Sequence, residues 1–159
     1  MKVTLFILFF LLNSTAAWPW GDLGHRVIAE NAVQLSEKAL PLCKVRPEEI
    51  VSHVNDPDKI WRNSRILYPH EAQAHFFHVD RQPPHWRDRK EPVDRAQGFL
   101  VYRIIHWIEE SKALIKKKKY EELSQYLYGL THYLGDLTQP LHLHHDHDGQ
   151  SAGLPDIHT

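Results

Sequence analysis

The chain has 159 residues, 42% of them hydrophobic, enough for one domain with a real core. Lysine and arginine number 19 against 20 acidic residues, and so even a balance argues against a basic groove as the main means of holding a polyanion. Any phosphodiester substrate would have to be attracted largely by bound cations. Histidine is the outlier, at 13 residues, and five tryptophans suit aromatic-walled pockets.

In chain order, the first feature is a secretory signal. Lys2 supplies the positive start, Val3 to Leu12 is apolar apart from Thr4, and Ser14-Thr15-Ala16-Ala17 offers small residues for cleavage. The apolar run is well short of the roughly 20 residues that span a bilayer. The expectation is a signal peptide over 1–17, a mature chain over 18–159 beginning at Trp18, and a secreted or periplasmic location. Cys43 is alone, so any staple must be metal rather than sulfur.

Three helices follow from periodicity. The first comes after Gly24-His25, with Ile28, Ala32, Leu35 and Ala39 at helical spacing and Pro41 as its stop. A long irregular stretch from Ser52 to Pro92 comes next. Its aromatic residues (Trp61, Tyr68, Phe76, Phe77, Trp86) favour an ordered, functional loop. The second helix runs from near Val93 to about Lys117, with Phe99, Tyr102, Ile105, Ile108 and Ile115 on its buried side. Lys116 to Lys119 sit at the turn that follows, as a solvated helix end. The third helix spans Tyr120 to Leu137, with a stripe of Leu123, Leu127, Leu130, Leu134 and Leu137, and Pro140 ends it. No repeat, parallel-sheet pattern or glycine-rich phosphate loop interrupts this, and the fold class is all-α.

The third helix also carries the chemistry. His132 and Asp136 stand at i and i+4, one above the other on a helix face. A neutral imidazole and a carboxylate so stacked can hold one metal ion, and the second carboxylate oxygen can bridge to another. At about 100° per residue the pair falls almost opposite the leucine stripe. A plain solvent face would carry Lys and Glu there. Instead Gly129 and Gly135 flank the pair and leave room for a close approach. His142, His144, His145, His147 and His158 follow, just past the helix. Of these, His144, His145 and His147 read as exposed or supporting residues rather than direct ligands, and Asp148 could orient a ligand histidine or the substrate. The chain reads as a metal enzyme.

Three segments resemble the zinc-dependent S1/P1 nuclease family, whose fold is shared with bacterial zinc phospholipase C. They are Trp20-Gly21-Asp22-Leu23-Gly24-His25; Asn55-Asp56-Pro57-Asp58 with Ala74-His75-Phe76-Phe77-His78-Val79-Asp80; and Thr131 to His142 followed by Asp148-Gly149. The resemblance implies a mostly helical domain with long irregular metal-binding loops and three zinc ions in a cleft. One ion would use Asp58, His75, His132 and Asp136. Asp56 and His78 are the alternatives to the first two. A second ion would use His25, the bridging Asp136, and the amino and carbonyl groups of Trp20 as mature N-terminus, in competition with Trp18. The third would use His142, His158 and a carboxylate four residues beyond His158. The chain ends at Thr159, so a C-terminally incomplete domain is expected. The implied activity is endonucleolytic hydrolysis of single-stranded DNA or RNA to 5′-phosphate products. Asp136 and Asp58 are its central carboxylates. A zinc phospholipase C on the same scaffold, or a non-catalytic metal-binding fragment, are the rivals.

Overall fold

The computed structural model describes residues 21–64 and 66–146. Among these residues five α-helices carry the fold: α1 (Asp22–Leu35), α2 (Pro47–His53), the one-turn α3 (Glu71–Ala74), α4 (Leu100–Lys117) and α5 (Tyr120–Leu137). Short 3₁₀ turns and one π-helical turn, Pro57–Trp61, join them. Among the described residues there is no strand, only a single antiparallel bridge between Phe77 and Gly98. The all-α expectation holds, and no described helix is long and apolar enough to cross a membrane.

The expected helices shift in informative ways. α1 stops at Leu35, short of the expected Ala39. The next inward position falls on the polar Ser36, and Leu35 is 89% exposed. The chain turns there, and Pro41 opens a 3₁₀ turn (Leu40–Cys43) instead of closing a helix. Lys44 in left-handed backbone then returns the chain to bury Val45. α2 was not expected. Its cues are Pro47 in the first turn beside Glu48 and Glu49, where a missing N–H costs nothing and negative charge favours the helix dipole.

α4 begins at Leu100 rather than near Val93, after a 3₁₀ turn (Arg95–Gln97) and Gly98 at φ +80°. Its buried stripe is Leu100, Ile104, Trp107, Ser111 and Leu114. Of the expected set Phe99 and Tyr102 are buried, whereas Ile105, Ile108 and Ile115 are exposed. Trp107 decides the rotation, because its large ring takes the central inward position.

α5 has the expected bounds and pairs with α4 across the short Lys118–Lys119 link, with Lys118 in left-handed backbone. Trp107 lies against Gly129, where an added Cβ would come within 2.1 Å of the indole Cζ3. α1 and α2 pack on other faces of α5, so this helix is buried on several sides. Leu134 is 45% exposed, while the His132–Asp136 side is covered. One cluster of the core centres on Trp61, Phe77, Leu100, Trp107 and Tyr133, the other on Ala29, Ile50, Val54, Leu114 and Leu123. Gly129→Ala should destabilise the chain by about 1–3 kcal/mol, the usual cost of overpacking a filled core. A lowered urea midpoint at unchanged m value is the expected result.

Candidate metal centre

α5 supplies the floor of the site. His132 and Asp136 are buried on the side facing α1 and α2, 0% and 1% exposed. The His132 Nδ1–H donates to the carbonyl of Val54 at the end of α2, 2.8 Å away. This bond leaves the Nε2 lone pair facing inward. α1 brings His25, whose ring stacks on His132 at 3.8 Å. Gly135 makes that approach possible, since a Cβ there would sit 2.9 Å from His25 Nδ1. The π-helical turn presents Asp58, the C-cap of α3 presents His75, and the 3₁₀ turn after α5 (Pro140–Leu143) presents His142.

These groups converge on Asp136. His25 Nε2 lies 3.2 Å from its Oδ1, and His142 Nδ1 lies 3.6 Å from the same oxygen. His75 Nδ1 and His132 Nε2 approach Oδ2 at 2.9 and 3.4 Å. His132 Nε2 is 3.1 Å from His75 Nδ1. Asp58 stands 3.5 Å from His75 and 3.7 Å from His132. Four ligands held at 2.0–2.1 Å around a tetrahedral zinc are spaced about 3.3 Å apart, and the observed separations bracket that value. His25 Nδ1 is buried with no hydrogen-bond partner. Two sets of donors could each hold a cation, namely His25, His132 and Asp136, and Asp58, His75 and His132. The residues therefore fit zinc in number, donor chemistry and spacing.

The open alternatives separate here. Asp56 pairs with His53 at 2.8 Å, and Asp58 rather than Asp56 enters the cluster. His78 stacks on Phe76, and His75 enters instead. Trp20, His147, Asp148 and His158, like residues 1–17 where a signal peptide is expected, lie outside the described residues. A third group of donors, Asp80 with His144 and His145, is exposed. Its polar groups already satisfy one another. Asp80 accepts from both the backbone and ring N–H of His145, and His144 Nδ1 accepts from the Asp146 amide. This group is a clasp between two loops. Glu71 is a further carboxylate, buried beside His75, that no sequence motif marks. Its one available signal was the i, i+4 spacing to that histidine.

Charge in the cluster is strongly biased. Burial opposes ionisation of Asp136. Hydrogen bonds from His25 and His75 and the imidazole charges beside it outweigh burial and hold the carboxyl far below the usual carboxylate range. Burial likewise opposes a charged His75, yet its hydrogen bond to Asp136 and the neighbouring carboxylates of Glu71, Asp136 and Asp58 raise it to about 9. Burial drives His132 well below an ordinary histidine and lowers His142 as well.

A pH optimum follows for the metal-free chain. The raised His75 contributes stability that is complete below its unfolded value of 6.5 and is lost as pH rises through about 9. His132 and His142 work the other way, because below about pH 6.5 the unfolded chain takes up protons that these buried rings refuse. The Asp136 contribution is also lost as pH falls below its unfolded value. In chelator, the melting temperature should be highest near about pH 6.5 and fall on both sides, as thermal melts across that range would register.

Comparison with known proteins adds to this geometry. No significant match was found among curated proteins or among solved structures. Residues 20–153 match the family model described as S1/P1 Nuclease. The matched interval covers most of the chain and contains the helices and loops that supply the clustered histidines and carboxylates. The chain belongs to the S1/P1 nuclease family.

Proposed function

We propose that this chain is a secreted zinc-dependent endonuclease that hydrolyses phosphodiester bonds of single-stranded DNA or RNA and leaves 5′-phosphates. The observation that carries the reading is the convergence of His25, His75, His132 and His142 on one buried carboxylate, Asp136, with Asp58 at its edge. Asp58, His75, His132 and Asp136 would hold one ion. His25 and Asp136 would hold a second, completed by the amino terminus if processing runs to Trp20. His142 would contribute to a third with His158. The family match begins at Trp20, which supports that mature end over Trp18, and intact mass of the secreted protein tests it.

Zinc bound there supplies positive charge that neutralises phosphate oxygens and acidifies water. The protein's own groups prepare the site for it. Asp136 stays ionised and offers one oxygen to each side of the cluster. The Val54 carbonyl orients His132, and the stacked His25 and His132 rings exclude solvent from the floor. The near-neutral net charge leaves attraction of the polyanion to the site itself.

The test is purified, processed protein assayed on single-stranded DNA, single-stranded RNA and phosphatidylcholine, with and without zinc. Zinc-dependent cleavage of nucleic acid to 5′-phosphate ends supports the reading. Turnover of phosphatidylcholine alone assigns the phospholipase activity instead, and zinc binding without any turnover assigns metal sequestration.

A further inference from the structure

Glu71 is a carboxylate with 2% exposure, which is costly to bury unless it is paired. Two groups compensate it directly. Arg103 on α4 reaches Oε2 at 3.2 Å, and the Tyr133 hydroxyl on α5 donates to Oε1. Burial opposes its charge, but these partners and His75 keep it below the usual carboxylate range. Its position does more than join α3 to α4 and α5. Oε1 also stands 3.5 Å from His75 Nε2, an ion-pair distance. That nitrogen is buried and makes no hydrogen bond at closer range.

The two nitrogens of His75 therefore face different worlds. Nδ1 looks into the cluster, toward Asp136 Oδ2 at 2.9 Å, His132 Nε2 at 3.1 Å and Asp58 Oδ1 at 3.5 Å. Nε2 looks away, toward Glu71. The neighbouring His132 is arranged the opposite way, with Nδ1–H bonded to the Val54 carbonyl and Nε2 turned inward. A histidine that ligates a metal is set in tautomer and orientation by the acceptor on its other nitrogen. A peptide carbonyl performs that task for His132, and an anchored anion is placed to perform it for His75.

We propose that Glu71 is a positioning residue that holds the proton of His75 on Nε2 and so makes Nδ1 the metal-facing nitrogen. Arg103 and Tyr133 fix the carboxylate, and the anion raises the basicity of the imidazole it faces. The inference rests on the metal reading of the centre, and names a residue outside the donor set.

The experiment compares the full chain with Glu71→Gln, His75→Ala and the double variant. Zinc affinity is read by competition with a chromophoric chelator, and the zinc-loaded ring by long-range ¹⁵N–¹H correlation. Glu71→Gln should weaken zinc by roughly 10–100-fold, the range for losing an outer partner of a ligand. It should cost nothing further in the His75→Ala background, and the His75 ring in the parent chain should carry its proton on Nε2 and its metal on Nδ1. A purely structural Glu71 would weaken zinc equally in both backgrounds, and that result overturns the inference. So does unchanged zinc affinity in Glu71→Gln, or a His75 ring metallated at Nε2. A parent chain that holds no zinc overturns the metal reading itself and this inference with it.

Discussion

Asp136→Asn should abolish zinc-dependent cleavage while leaving a folded chain. The substitution keeps size and shape but removes the anion that His25, His75, His132 and His142 all face at 2.9–3.6 Å. An amide offers one oxygen and one NH₂, so it cannot serve both sides of the cluster. The expected loss is on the order of 10³-fold or more, at the upper end for removing a single group that organises charge at a reacting centre. Nuclease assays under saturating zinc, with the far-ultraviolet spectrum as the control for folding, provide the check. Cleavage within tenfold of the parent would remove Asp136 from the centre of the mechanism.

Chelation should be nearly as consequential, and for stability as well as activity. The centre confines at least one anion and several imidazoles in a space that excludes water, and burial opposes charge on each of them. A cation satisfies the carboxylates and the inward lone pairs together. A ligand that binds only the folded chain stabilises it by about 4 kcal/mol when present at 1,000 times its Kd. For a domain of this size that corresponds to roughly 10 °C or more in melting temperature. Zinc-loaded and chelated samples scanned side by side should differ by that margin, and zinc rather than magnesium should restore it, because imidazole donors favour the softer ion. Superimposable melts would show that the donors are held in place without any ion.

Much of the centre could be read from residue spacing, and the unread part has definite causes. His132 and Asp136 fall on one helix face because the helical period is a local property of the chain, and α5 has the expected ends. Gly129 and Gly135 signalled close approaches, and Trp107 and His25 fill those places. Choices between near neighbours were not legible. Asp56 and Asp58 are two residues apart, and a π-helical turn decides which one points inward. His75 caps α3 and His78 opens the next 3₁₀ turn, so which of them enters the cluster depends on where a one-turn helix ends. In α4 an apolar side on Ile105, Ile108 and Ile115 competed with one on Ile104, Trp107 and Leu114. Only the tertiary contact of Trp107 with Gly129 resolves it. α2 was hidden because seven residues give too short a window for periodicity.

The distances along the chain between the converging donors have a consequence for biosynthesis. His75 is 61 residues from Asp136, and the Val54 carbonyl that orients His132 is 78 residues from it. No short peptide cut from this protein contains the arrangement, and closing such large loops is slow compared with forming a single helix. During translation the earlier histidines emerge long before their shared counter-ion. A ribosome-bound intermediate lacks the assembled donor cluster, so any cation that the cluster holds would enter only after α5 has been made and docked.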